Sequence, residues 1–192
     1  MTWSIVAVDP ETREVGVGAA TCTIGVEMVR GIVPGVGVVA AQAFTNLYSR
    51  NQAVDALCSG GSLEQALAAA EVAAGQHGLS EWSTQQFAVA ALAPAPRALV
   101  HTGSDTDAWA GSRQARAVSV QGNLIRGPEV LDLCLAAFLS DDGQPDLAER
   151  MMRGLEAGGE AQICLSRQLS SSTAAGAIEA RAKWPRRSGA EE

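Results

Sequence analysis

The sequence predicts an α+β protein built as a four-layer αββα sandwich, with two antiparallel sheets face to face and helix pairs outside. The order of the elements is the first observation, because two blocks of β-type apolar runs are each followed by two segments with helical spacing. The second is that the strand–helix–strand alternation typical of a parallel sheet does not occur. Third, alanine, valine and glycine dominate the chain, which indicates layers in close contact.

The first block predicts a β-hairpin and a further strand. Pro10 fixes φ early in the turn of the hairpin. Gly16 and Gly18 keep the second strand narrow, so another layer can approach it closely. The predicted elements are a strand over residues 3–9, a turn over 10–13, a second strand over 14–23 and, after Pro34-Gly35, a third strand over 36–43.

Two helices follow the first block. Apolar residues at helical spacing predict a helix over residues 46–58, which Gly60-Gly61 closes. Ser62 and Gln65 form a capping box that opens a helix through Ala74.

The second block repeats this order. Pro128 suits the first position of a helix, and Asp146 with Glu149 caps the last one. Beyond Gly159 the apolar pattern decays, so we expect one domain over residues 1–159 and a diverged, weakly ordered tail over 160–192. The predicted elements are strands over 87–93, 98–102 and 116–122, a helix over 128–139 and a last helix ending at Gly158-Gly159.

Composition excludes several classes of function. A chain of 192 residues with a formal net charge of −7 and no basic stripe does not predict nucleic-acid binding. The sequence has no window of about 18 consecutive apolar residues and therefore predicts no membrane span. It also shows no signal peptide before the first strand, so we expect a cytoplasmic protein. Four widely spaced cysteines and two histidines lack the paired spacing of a metal site, which predicts reduced, mostly buried thiols and no metal or cofactor.

The start of the chain offers a nucleophile. Met1 precedes Thr2, and methionine is normally trimmed before so small a residue. Trimming would give Thr2 a free α-amine beside its hydroxyl, so that one residue carries both base and nucleophile. The alternative is that Thr2 is only the ragged end of a strand.

Other polar residues gather at predicted strand ends. Ser4 shares a strand face with Thr2, and the alternative is that this face is a polar edge exposed to solvent. Thr21 lies at the end of the second strand, and the alternative is that threonine is there only because it suits strands. Gln42 ends the third strand, and the backbone amides of residues 44–46 are candidate oxyanion donors, although Asn46 also suits a helix N-cap. A further strand tip carries Gln121, Gly122 and Asn123, which also fit a turn with left-handed residues.

These segments resemble the DUF1028 family, which is described as part of the Ntn-hydrolase (N-terminal nucleophile) superfamily. The resemblance spans roughly residues 2–159 in the family's order and spacing. The matching segments are TWSIVAVDPET at 2–12, GVGAAT at 16–21, GVGVVAAQA at 35–43 and QGNLIRGPEV at 121–130.

The resemblance implies an Ntn-hydrolase-like fold and hydrolysis of a small amide or peptide through an acyl intermediate on Thr2. It implies that Thr2 is the nucleophile and its α-amine the base. From the strand faces and strand tips described above, we also expect catalytic roles for Ser4 and Asn123, and we expect no cofactor. The substrate-binding residues expected at the same site are Thr21, Gln42, Asn46, Gln121 and Gly122.

Two departures from the family's pattern leave a second hypothesis open. Many relatives carry a basic residue where this chain has Cys22, and the single lysine here is Lys183 in the tail. After the Gly158-Gly159 turn the chain also lacks the further apolar strands of its relatives. An inactive Ntn-fold protein that binds a ligand or assembles with partners is therefore the alternative, and the uncompleted sheet edge predicts a homo-oligomer.

Overall fold

The computed structural model describes residues 1–77, 81–140 and 146–171, which form eight strands and four α-helices. The strands are β1 (Thr2–Val8), β2 (Val15–Thr21), β3 (Arg30–Val33), β4 (Gly37–Ala43), β5 (Gln85–Ala91), β6 (Arg97–Thr102), β7 (Gly111–Ala115) and β8 (Val118–Asn123). The helices are α1 (Leu47–Cys58), α2 (Leu63–His77), α3 (Glu129–Leu139) and α4 (Leu147–Ser171).

The strands form two antiparallel sheets of four strands each. The first sheet has the order β2-β1-β8-β7, and the second has the order β3-β4-β5-β6. β1 is therefore a central strand, paired on one side with its hairpin partner and on the other with a strand more than a hundred residues later.

Three apolar clusters show that the elements stack in four layers. Trp3 and Ile5 of β1 pack with Leu131 and Leu155 of the α3–α4 pair. Val39 and Phe87 of the second sheet lie instead in a cluster with residues of α1 and α2. Between the sheets, Val6 and Val8 of β1 share a cluster with Val38, Ala40, Ala88 and Ala90 of β4 and β5. The predicted sandwich of two sheets between two helix pairs is the arrangement observed.

Local signals placed most elements correctly. The Ser62–Gln65 capping box forms, since the Ser62 amide donates to Gln65 Oε1 at 2.8 Å and the Gln65 amide to Ser62 Oγ at 3.3 Å. The narrow strand β2 is also confirmed. A Cβ on Gly16 would lie 2.5 Å from the Met151 sulfur, so α4 sits close to the strand because glycine is there.

Two edge strands were missed. β3 has four residues and pairs only with β4, and β7 has the polar sequence Gly-Ser-Arg-Gln-Ala and pairs only with β8. The predicted strand over 116–122 in fact begins at Val118, because Arg116 and Ala117 form the turn that joins β7 to β8. Neither edge strand has an apolar alternation of its own, and each forms because a long neighbouring strand offers it a ladder of hydrogen bonds.

The predicted end of the last helix at Gly158-Gly159 is wrong, because α4 continues to Ser171. A Cβ on Gly158 would lie 3.0 Å from Trp3 Nε1, so this glycine lets the helix pack against β1 instead of ending it. The domain boundary expected at residue 159 thus falls inside a helix. Of the tail expected to be weakly ordered over 160–192, residues 160–171 continue α4, and residues 172–192 lie outside the described residues.

The expectation of mostly buried thiols is also wrong for the described cysteines. Cys22 and Cys58 are exposed, and Cys134 is buried on α3. The side chain of Cys164 lies outside the described residues. Burial raises the pKa of the Cys134 thiol to about 12, because the surrounding apolar side chains cannot solvate a thiolate.

Gly154 and Gly159 provide a matched test of the close packing of α4. A Cβ on Gly154 would lie 2.8 Å from Ile5 Cδ1 and 2.9 Å from the Cys134 carbonyl oxygen, whereas one on Gly159 meets only Trp3 at 3.5 Å. We expect Gly154→Ala to lower the free energy of unfolding by about 1–3 kcal/mol in urea titrations. Gly159→Ala should be neutral or should stabilise the helix by up to about 1 kcal/mol, and equal losses in both variants would contradict the packing described.

The buried thiol makes a prediction for alkaline pH. An unfolded cysteine ionises with a pKa of about 9.0, while burial keeps folded Cys134 protonated to about pH 12, so stability is lost as pH rises through this window. Between about pH 8 and about pH 10 this thiol should lower the free energy of unfolding by about 1 kcal/mol. Urea titrations of the wild type and of Cys134→Val at both pH values isolate the contribution of the thiol. An equal change in the free energy of unfolding for the two proteins would refute it.

Candidate active site

Thr2 and Ser4 point into the space between the two sheets. They lie on the same face of β1 as Val6 and Val8, whose side chains belong to the inter-sheet cluster. Thr2 is 8% exposed and Ser4 is fully buried. The alternative of a solvent-facing polar edge is therefore wrong, and the hydroxyls need partners within the protein.

A directed chain of hydrogen bonds joins the sheets beside Thr2. Its members are six buried or half-buried neutral side chains, which we call the inter-sheet chain: Ser119, Gln121 and Ser4 of the first sheet, and Gln42, Gln86 and Thr102 of the second. In order, Ser119 Oγ donates to Gln121 Oε1 (3.0 Å), Gln121 Nε2 to Ser4 Oγ (2.6 Å), Ser4 Oγ to Gln42 Oε1 (2.6 Å), Gln42 Nε2 to Gln86 Oε1 (2.6 Å), and Gln86 Nε2 to Thr102 Oγ1 (2.9 Å).

In the inter-sheet chain, each hydrogen bond fixes which atom of the next side chain donates and which accepts. Because every glutamine accepts at its oxygen and donates at its nitrogen, the run of bonds has one direction and sets the orientation of all three amides. Such chains polarise their members cooperatively in a medium of low dielectric. Gln86 Nε2 also lies 3.2 and 3.1 Å from the carbonyl oxygens of Gly111 and Gly122, so that its two protons are shared among three acceptors and tie β5 to the backbone of the opposite sheet.

Thr2 has hydroxyl neighbours on the hairpin partner strand. The register sets Thr2 opposite Thr21, and their Oγ1 atoms are 2.9 Å apart. Thr21 Oγ1 also lies 3.0 Å from Thr23 Oγ1 and 3.1 Å from the Met1 carbonyl oxygen, to which it donates. The structure therefore brings the predicted residues Thr2 and Thr21 into direct contact.

Asn123 lies on the other side of Thr2. The register pairs the two residues across β1 and β8, and on one sheet face such neighbours have Cβ atoms about 5 Å apart. Asn123 is buried, and its Nδ2 donates one of two protons to Gln86 Oε1 at 3.3 Å. This bond connects Asn123 to the inter-sheet chain.

Gly122 and Asn123 do not form the left-handed turn that was the alternative for this segment. Both belong to β8, and the residue with positive φ is the next one, Leu124, at 53°. Ala43, just after Gln42, has φ 68°. A left-handed conformation costs a residue with a side chain about 1–2 kcal/mol, and here it turns the chain away sharply at the two strand ends beside the site.

The expectation of oxyanion donors at residues 44–46 is wrong for the first two amides. The Phe44 amide donates to the Thr84 carbonyl oxygen at 3.4 Å, and the Thr45 amide to that of Ala43 at 3.0 Å. Asn46 is the N-cap of α1, with its Oδ1 accepting from the amides of Tyr48 and Ser49 at 2.9 and 3.3 Å. Within the described residues its buried Nδ2 has no partner, and no hydrogen bond joins it to the inter-sheet chain.

Sequence reasoning missed three members of the inter-sheet chain: Ser119 in the first sheet, and Gln86 and Thr102 in the second. Gln86 pairs with Gln42 on one side and with Thr102 on the other, so three polar side chains cross the second sheet in one row. A signal was present, because Gln86 has the same strand parity as Ala88 and Ala90 and therefore must face the other sheet.

Three other kinds of site were sought among the described residues. Described residues contain no group of three or more histidine, cysteine, aspartate or glutamate side chains able to hold a metal ion. Among the described helices, none has the length and apolar character needed to cross a membrane. An apolar groove of about 530 Å³ lies between β2, β3 and α4, and neither Thr2 nor the inter-sheet chain lines it.

Comparison with known proteins places these features in a family. The model of DUF1028, a family of unknown function, matches residues 2–164. The crystal structure of a protein from Silicibacter pomeroyi with the same family model is similar to this chain, with a TM-score of 0.72 and 26% sequence identity over 83% of this chain and 70% of that one. No curated protein matches the sequence. The resemblance to DUF1028 is confirmed.

The inter-sheet chain predicts a large effect of one substitution. Gln42→Leu leaves the proton of the Ser4 hydroxyl buried without its acceptor and removes one of two donors to Gln86 Oε1, which keeps Asn123 Nδ2. The free energy of unfolding should fall by about 1–3 kcal/mol, the cost of one orphaned buried polar group. Gln52→Leu, at an exposed position of α1, is the matched control and should change stability by less than about 0.5 kcal/mol in urea titrations. A comparable loss in the control would contradict the assignment.

Proposed function

This chain belongs to the DUF1028 family, and we propose that it is an Ntn-type amidohydrolase that cleaves a small amide or peptide bond. The observation that carries the proposal is the position of Thr2. Its hydroxyl lies between the sheets at one end of β1, 2.9 Å from Thr21 Oγ1 and opposite Asn123. A nucleophile held by two neighbouring strands in a mostly buried site has the fixed orientation that covalent catalysis requires.

The reaction begins after cleavage of the Met1–Thr2 bond. The freed α-amine of Thr2 takes the proton of its own hydroxyl, and Oγ1 attacks the carbonyl carbon of the substrate amide. When the tetrahedral intermediate collapses, the carbon–nitrogen bond breaks and the amine passes the proton to the leaving nitrogen. Water, deprotonated by the same amine, then hydrolyses the ester on Thr2 and releases a carboxylic acid.

The neighbours of Thr2 supply the remaining roles. Asn123 Nδ2 uses one proton for Gln86, and in the proposal its second proton stabilises the negative oxygen of the intermediate. Ser4 is a positioning residue, because its hydroxyl is bonded to both Gln42 and Gln121. Gln42 and Gln121 hold the floor of the site through these bonds, and the backbone of Gly122, whose carbonyl oxygen accepts from Gln86, forms part of that floor.

The proposed site has no lysine beside Thr2, because the described residues contain none. In this proposal the α-amine of Thr2 acts as the base without the electrostatic help of a lysine ammonium group.

A second candidate function is a non-catalytic module that binds a ligand or assembles with partners. The observation that favours it is the engagement of Met1, whose carbonyl oxygen accepts from the Cys22 amide at 3.3 Å and from Thr21 Oγ1 at 3.1 Å. A chain that keeps Met1 has no free amine on Thr2 and therefore no base for the reaction above.

Acylation of Thr2 separates the two functions. With p-nitrophenyl acetate, the chain starting at Thr2 should gain one acetyl group, which intact-mass and peptide spectra place on Thr2. Thr2→Ala should reduce the acylation rate by roughly a thousandfold or more, because it removes the nucleophile and leaves the rest of the site unchanged. Thr12→Ala, at an exposed threonine in the hairpin turn, is the control and should react at the wild-type rate.

Two outcomes would contradict a catalytic role for Thr2. Equal acylation of the wild type and Thr2→Ala, with circular dichroism showing both folded, would leave Thr2 without a catalytic role. Retention of Met1 on the protein from its natural source would have the same consequence.

A further inference from the structure

Met1 is chemically an acyl group attached to Thr2, and the structure holds it by every polar part. Its carbonyl oxygen accepts from the Cys22 amide (3.3 Å), from Thr21 Oγ1 (3.1 Å) and, at 3.7 Å, from Cys22 Sγ. Its α-ammonium group donates to Cys22 Sγ at 3.3 Å.

The side chain of Met1 also has a dedicated partner. Gln162 on α4 is 8% exposed, and its Oε1 accepts from the Arg126 amide at 3.0 Å. That bond orients the Gln162 amide so that Nε2 donates to Met1 Sδ at 3.3 Å. A buried donor is thus aimed at the third atom beyond the α-carbon of Met1.

An acyl group on the amine of Thr2 and one on its hydroxyl occupy nearly the same place. The two attachment atoms belong to one residue, and attack of Oγ1 on a carbonyl bonded to the amine passes through a five-membered ring. The carbonyl carbon is then bonded to both atoms, so its oxygen can keep the same hydrogen-bond donors in either form. The donors around Met1 therefore indicate where the acyl group of a substrate would lie.

We propose that the place of Met1 is the acyl subsite of the enzyme, an inference that rests on the proposed function. The Cys22 amide and Thr21 Oγ1 hold the acyl oxygen of the substrate from the β2 side of Thr2, and Asn123 Nδ2 on the β8 side adds its donor when that oxygen becomes negative. Gln162 selects side chains with an acceptor three atoms from the α-carbon. The substrate class is α-aminoacyl amides of this type, of which methionyl amides are one, and Met1 blocks the subsite until it is removed.

Binding without turnover tests the subsite directly. The Thr2→Ala chain that starts at residue 2, which lacks the nucleophile, is titrated with L-methioninamide and, as the matched ligand, L-norleucinamide, which replaces the sulfur by a methylene group. Nuclear magnetic resonance should show the Cys22 amide proton moving downfield on binding of L-methioninamide. Gln162→Leu should remove most of the preference for L-methioninamide over L-norleucinamide. An unmoved Cys22 amide at saturating ligand, or no binding at all, overturns the proposal.

A pair of threonine variants tests the acyl-oxygen donors. Thr21→Val keeps the β-branched shape and removes the hydroxyl, whereas Thr23→Val removes a hydroxyl that contacts Thr21 but not Met1. Thr21→Val should weaken binding of L-methioninamide about tenfold. It should also lower kcat/KM for its hydrolysis by about 100-fold or more, while Thr23→Val stays within about threefold of the wild type. Equal effects of the two substitutions overturn the proposal.

The two proposals fail in distinguishable ways. Binding of L-methioninamide at Cys22 with no hydrolysis and no acylation of Thr2 keeps the subsite and refutes the enzyme. Acylation of Thr2 with Thr21→Val as active as the wild type keeps the enzyme and refutes the subsite.

Discussion

The inter-sheet chain of neutral hydrogen bonds is the constraint on which the rest of this structure depends. Two sheets that meet through valine and alanine can slide or rotate at little cost, because apolar contact is not directional. Five consecutive side-chain bonds from Ser119 to Thr102 remove that freedom at one end of the sandwich. Each bond contributes little net free energy, but breaking one leaves a buried polar group without a partner. The arrangement is therefore maintained by the free-energy cost of that unpaired group.

The same chain explains why the polar groups of the site are amides and hydroxyls. Buried charges would require partners of opposite sign, and the space between these sheets is filled by small apolar side chains. Glutamine both donates and accepts, so it passes the bond from one sheet to the next without a charge. Thr2 and Asn123 lie at one end of this neutral region, where β1 begins and β8 ends.

Close packing of the outer layers keeps β1 in place. Gly154 and Gly158 bring α4 against Ile5 and Trp3, while the other face of β1 carries Thr2 and Ser4. Trp3 Nε1 donates to the Leu155 carbonyl oxygen at 3.2 Å, which ties the strand to the helix one residue after the proposed nucleophile. The helix layer and the polar layer thus act on alternate residues of one strand, and the position of the Thr2 hydroxyl depends on both.

The sequence by itself determined the local chemistry of this protein. The alternation of β1 separates Thr2 and Ser4 from Trp3 and Ile5, the capping box begins α2, and the order of the elements indicates two sheets between helix pairs. Only the tertiary structure decided that Gly158 lies inside a helix, that β7 is a strand, and that Gln86 meets Gln42 and Asn123. The physical reason is that propensity and periodicity act over a few residues, whereas a glycine against Trp3 or an edge strand beside β8 is stabilised by partners far away in the chain. The contact between Gln162 and Met1 was likewise decided by the tertiary structure, because the two residues are 161 positions apart in the sequence.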